Sequence, residues 1–113
     1  MQFRVDTQGT TFIVGGVRGV VGFESNAPVL DKATGLQMFD VDVMAVAAGE
    51  RPEQLTVRVA GQPAGVDIGL RVRIHDLVAR SWEMGDRHGM SFRASRVEPF
   101  AAGGRATGDG KAA

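Results

Sequence analysis

Apolar and polar residues alternate with a period of two along most of this chain. Residues 36–47 give the clearest case in the amino-terminal half: Phe39, Val41, Val43 and Ala45 fall on one side, Asp40, Asp42 and Met44 on the other. Successive side chains of a strand point to opposite faces, so this period predicts a half-buried strand. Residues 53–60 repeat it, with Leu55, Val57 and Val59 against Gln54, Thr56 and Arg58. Upstream, the β-branched and aromatic residues 10–14 predict a first core strand ending at Gly15 and Gly16. Residues 17–25 continue as a bent strand broken by Gly19 and Gly22, and residues 2–5 form a short lead-in strand. Residues 26–35 have loop composition, with a hairpin turn at 32–35.

The rest is organised around residues 70–99, which predict a long strand, a polar corner at 85–89 and a second long strand. Val72 and Ile74 face one way and Arg71, Arg73 and His75 the other. Met90, Phe92 and Ala94 share a face opposite Ser91, Arg93 and Ser95. The alternation lapses at 76–79, where a bend or bulge is expected. Residues 61–69, with Pro63, Gly65 and Gly69, allow at most one helical turn. Residues 101–113 are rich in glycine and alanine and poor in bulky apolar side chains, which predicts a flexible tail after a single domain of residues 1–100. Five strands, no helix and short links define an all-β domain. Closure into a small barrel removes the exposed edges of a flat sheet, although an SH3-like barrel or half of a sandwich satisfies the same periodicity.

Composition narrows the chemistry. The 113 residues, 43% of them hydrophobic, suffice for one domain with a small core. Absence of cysteine excludes disulfides, thiol nucleophiles and thiolate metal sites. No basic stretch followed by an apolar run opens the chain, and no window approaches a membrane span, so a cytoplasmic protein is expected. Thirteen basic and thirteen acidic residues cancel overall, yet residues 70–96 hold six arginines against three acids. Arg71, Arg73, Arg80, Arg93 and Arg96, extended by Arg58, supply an electrostatic stripe, and Trp82 beside the polar corner supplies a flat surface for a base. The plainer reading makes these arginines solvent-facing residues of amphipathic strands, and Trp82 a barrel-end cap or interface anchor. His75 and His88 lack metal-site spacing or a nearby carboxylate, Asp40 and Asp42 are ordinary for a wetted sheet face, and GGVRG lacks the lysine and helix of a phosphate loop. No catalytic residue, metal or cofactor is expected.

The order of segments carries a further signal. TFIVGG leads through a TG turn to FDVDVMAV and LTVRVAG; GQPAGVDIGL then connects to GLRVRIHDLVARSWE, a polar turn and GMSFRASRVEP. This order resembles the bacterial single-stranded DNA-binding proteins of the OB-fold type, particularly small variants associated with actinobacterial plasmids and mobile elements. Val72, Ile74, Leu77, Arg80 and Trp82 take that family's V-x-V-x-G-x-L strand pattern, with Asp76 where the family usually has glycine. Phe92, Ala94 and Val97 resemble its closing strand. The likeness spans residues 10–100; residues 61–69 are too short for the helix of larger members, and the tail lacks their acidic tip. The resemblance implies a five-stranded OB-fold barrel with a long protruding hairpin. It also implies noncatalytic binding of single-stranded DNA through a basic, partly aromatic sheet face, by a homo-oligomer (dimer or tetramer). The alternative is a structural or adaptor β-barrel that binds another protein, for which the balanced charge speaks; RNA in place of DNA is a third.

Overall fold

Eight strands joined edge to edge form one curled sheet in the computed structural model, which describes residues 2–100. They are β1 (Gln2–Arg4), β2 (Thr10–Gly19), β3 (Met38–Ala47), β4 (Glu53–Ala60), β5 (Arg71–His75), β6 (Val78–Met84), β7 (Arg87–Arg93) and β8 (Arg96–Pro99). The sheet order is β1-β6-β7-β4-β3-β2-β5-β8, antiparallel throughout except for the parallel β4–β7 pair. The sheet curls into a half-barrel with its apolar side inward, and the described residues contain no helix. The tail expected at 101–113 lies outside the described residues.

The period-two pattern accounts for the core. Phe12 and Val14 of β2, Val41 and Val43 of β3, Val57 and Val59 of β4, and Val72 and Ile74 of β5 all point into the curl. Val41 and Val57 face each other across β3–β4, and both are 0% exposed. Val66, from the irregular connection between β4 and β5, plugs the same core, as do Leu77, Ala94 and Val97. Phe39 and Phe92 pack against its margin.

Eight strands are found where five were expected, and the difference has two sources. One is β1, the expected lead-in strand not counted among the five, which pairs with β6. The other is a bend that cuts each long arm of the 70–99 ribbon in two. The cross-strand offset does not change at the bend: Val72 pairs with Pro99 and Ile74 with Val97 on one side, and Val78 pairs with Arg93 and Met84 with Arg87 on the other. On one side β5 pairs with β2; on the other β7 pairs with β4. The ribbon is therefore continuous in register but turns from one wall of the curl to the other.

Asp76 makes the turn. Its φ of 54° lies in the left-handed region, which glycine enters freely and which asparagine and aspartate tolerate better than other residues. Its carboxylate accepts a hydrogen bond from Ser95 Oγ at 2.8 Å and pairs with Arg4 at 3.7 Å, while the Ser95 amide donates to the His75 carbonyl at 3.0 Å. Asp76→Val should accordingly destabilise the fold by roughly 1–3 kcal/mol. Asp76→Gly, which loses the hydrogen bond but relieves the backbone, should cost less. Urea denaturation of the two variants checks this order.

Two predicted breaks also change character. Gly15 and Gly16 do not end the first strand; the register of β2 against β3 shifts between Val14 and Gly16, a bulge through which the strand runs on to Gly19. The corner expected at 85–89 shrinks to Gly85 and Asp86, with Gly85 at φ 64° as a two-residue hairpin turn requires. Arg87, His88 and Gly89 thus belong to β7. The turn at 32–35 is present: the Gly35 amide donates to the Asp31 carbonyl at 2.8 Å, and the Asp31 carboxylate accepts from Thr34 N at 3.1 Å and Thr34 Oγ1 at 2.9 Å.

Candidate nucleic-acid interface

The expected basic stripe is divided into two groups at different places on the sheet. Arg58, Arg80, Trp82 and Arg93 share the outer face of β4, β7 and β6. Arg58 and Arg93 are neighbours across the parallel β4–β7 pair, Arg80 lies opposite Ser91, and Gln2 of β1 lies beyond Arg80. A groove of about 480 Å³ runs here, lined among others by Gln2, Asp40, Arg58, Arg80, Ser91 and Arg93. Arg71, Arg73 and Arg96 stand on β5 and β8, at the other end of the strand order.

Trp82 sits on the protruding arm made by β6 and β7, opposite Gly89. A Cβ at Gly89 would come within 2.7 Å of Trp82 Cζ2 and 3.0 Å of Cε2, so the indole rests on the glycine backbone and any larger residue would displace it. Trp82 as a whole is 40% exposed, which leaves surface free for a second flat group. The arm beyond it, with Met84, Arg87 and His88, is open to solvent on both strands, and Met90, one pair nearer the sheet, is exposed as well.

Most arginines of this face are already paired. Arg58 donates through Nε and Nη2 to both oxygens of Asp40, at 3.0 and 3.3 Å. Arg93 Nη2 donates to Asp31 at 3.1 Å, and Arg18 of β2 pairs with Asp42. Asp42 also accepts from Thr56 Oγ1 at 2.6 Å; that hydrogen bond, together with Arg18, holds its carboxyl below the ordinary value against the opposing effect of burial. Of the four site residues on this face, Arg80 is the arginine with no ion pair among the described residues. The arginine ends are open to solvent, but the Asp40 and Asp31 side chains are only 13% and 12% exposed, so a phosphate that takes Arg58 or Arg93 must offset a half-buried carboxylate left without its partner.

In the second group, Arg96 Nη2 lies 3.4 Å from Glu98, which also pairs with His75. The His75 hydrogen bond, aided by Arg96 and Arg73, lowers the Glu98 pKa. The partner of His75 comes from 23 residues away through the β5–β8 pairing, which sequence spacing around the histidine does not display. Arg71 and Arg73 stack on Phe100, their Cζ atoms 3.6 and 5.0 Å from the ring centroid. Asp31, Asp40 and Phe100 are the site neighbours that sequence reasoning did not place. Phe23 is 99% exposed, whereas Phe12 is core.

The lowered Asp42 and Glu98 carboxyls set an acid sensitivity. The unfolded chain takes up these protons at higher pH than the folded one, so their stabilisation is complete above the ordinary carboxylate range, begins to fall at about pH 4 and is lost as pH drops through the lower folded values. Thermal unfolding from pH 6 down to about 3 should show a falling midpoint. Thr56→Val should flatten that fall, because Thr56 makes the largest contribution at Asp42.

No protein-family model matches this chain, and no curated protein matches it. Its own geometry is therefore the ground for its function.

Proposed function

We propose that this protein binds single-stranded DNA noncatalytically on the outer face of β4, β7 and β6. The observation that carries the reading is Trp82: one side of the indole rests on Gly89, the ring remains partly open, and Arg80 lies two residues away on the same strand face with Arg93 and Arg58 beyond it. An unpaired base can stack on such a ring while its phosphates meet the arginines; bases stacked inside a duplex present no free face. The connectivity supports the OB resemblance. Counting each bent arm as one strand, β2, β3, β4, β7–β8 and β5–β6 form a circuit that returns to β2, as a five-stranded, partly open barrel requires. Asp76 supports it too, since the position where the family has glycine carries a glycine-like φ. Self-association belongs to the same proposal: β1 and β8 are open sheet edges, where a second copy can add. The cytoplasm is the compartment this role implies.

Trp82 is the only tryptophan, so its emission reports on one site. Titration with an oligothymidylate should quench it to saturation, and added salt should reverse the quenching. Binding without any change in emission would remove the base from Trp82.

The ion-paired arginines favour one other reading, an adaptor that docks a protein through the arm. The two readings differ at Asp31. Asp31→Asn frees Arg93, so DNA affinity should rise several-fold with a log–log salt slope steeper by about one. Unchanged affinity would mean that Arg93 meets no phosphate.

A further inference from the structure

The arginines of β5 are set apart from the Trp82 face. Arg71 and Arg73 project from the same side of β5, and neither has an ion pair among the described residues. The carboxylate opposite Arg73 is Glu98, and it is already engaged by His75 and Arg96. Asp76, farther along, is held by Ser95 and Arg4. Two like charges at alternate positions of one strand repel each other. The electron-rich face of Phe100 offsets this in part but neutralises neither.

Stacking on Phe100 does more than reduce repulsion. It restricts both side chains while leaving guanidinium edges to donate, since a ring face accepts no in-plane N–H bond. The Phe100 amide donates to the Arg71 carbonyl at 2.9 Å and ties the ring's backbone to β5. These groups line a concavity of about 750 Å³ together with His75, Asp76 and residues 7–12 of the neighbouring strand and its lead-in, including Thr10 and Thr11. It shares no lining residue with the groove beside Arg58 and Arg80.

We infer that this concavity is a separate oxyanion site for a phosphate group, with Arg71 and Arg73 as its principal donors. Two guanidinium forks present more donors than the two oxygens of a carboxylate can accept, whereas a phosphate offers further oxygens. The hydroxyl of Thr11, which shares its face of β2 with Ile13, the partner of Arg71, can take one left over. A free phosphate compound or a nucleic-acid backbone can supply the group, and the site does not depend on stacking at Trp82.

The test is a titration of the full-length ¹⁵N-labelled protein, followed by NMR, first with pyrophosphate and then with an oligothymidylate. Pyrophosphate should produce saturable shifts at the Arg71 and Arg73 Nε–H and at the Thr10 and Thr11 amides. The double variant Arg71→Gln/Arg73→Gln should weaken it by at least about tenfold. The variant Arg58→Gln/Arg93→Gln should leave it unchanged. Pocket shifts with the oligonucleotide, lost in the Arg71/Arg73 variant, assign the phosphate to a nucleic-acid strand; shifts with pyrophosphate alone assign it to a free phosphate compound. A pocket filled by pyrophosphate in a protein that binds no oligonucleotide would uphold the site and defeat the single-strand reading. No saturable shift at the pocket with either probe, or shifts spread evenly over all arginines, would overturn the inference.

Discussion

Leu77→Ala should lower the free energy of unfolding by about 2–5 kcal/mol, the range for emptying a fully buried leucine site. Leu77 is 2% exposed and belongs to the core cluster with Val57, Ile74, Ala94 and Val97. It follows Asp76 at the bend of the ribbon, and its carbonyl accepts the Val5 amide at 2.8 Å. The side chain therefore anchors the place where the ribbon passes from the β2 wall to the β4 wall, and residues fixed from both sides leave little room for the cavity to collapse. Native domains are stable by only about 5–15 kcal/mol, so this one truncation removes a large share. Urea denaturation should show a lower midpoint at unchanged slope. Leu30→Ala, at a position 56% exposed, should move the midpoint hardly at all.

Trp82→Ala is the functional counterpart. A stacked base contributes about 1–3 kcal/mol, so affinity for single-stranded DNA should fall about 5- to 150-fold. Thermal stability should change far less, because the indole packs on Gly89 of the solvent-exposed arm and is no part of the core cluster. Anisotropy titration and thermal unfolding of the same variant separate the effects. A changed oligomer size with unchanged DNA affinity would move Trp82 from the ligand to a protein interface.

What was legible in the sequence was local. Alternation in β3, β4 and β5 needs only neighbouring residues, and it placed Val41, Val43, Val57, Val59, Val72 and Ile74 inside, where they are found. The 70–99 ribbon was legible for the same reason, and the lapse in phase at 76–79 marked its bend. The conformation of Asp76 was not, because Arg4 and Ser95, which hold it, come from distant parts of the chain. The charge pattern misled in a similar way. Arg93 looks like a free cation along the strand, yet its partner Asp31 lies 62 residues away. Arg58 is matched by Asp40 through a cross-strand register that composition cannot encode. A stripe counted from arginines alone thus overstates the open positive charge beside Trp82, and it joins two groups that the sheet keeps apart.

These features make the salt dependence of binding the most direct measurement. Fluorescence anisotropy of labelled single-stranded and duplex oligonucleotides, titrated at several salt concentrations, reads the stacking and the charge together. The single strand should bind more tightly than the duplex at every salt concentration, with affinity falling log-linearly as salt rises. Failure to bind at low salt, or equal binding of strand and duplex, would contradict single-strand binding by this face.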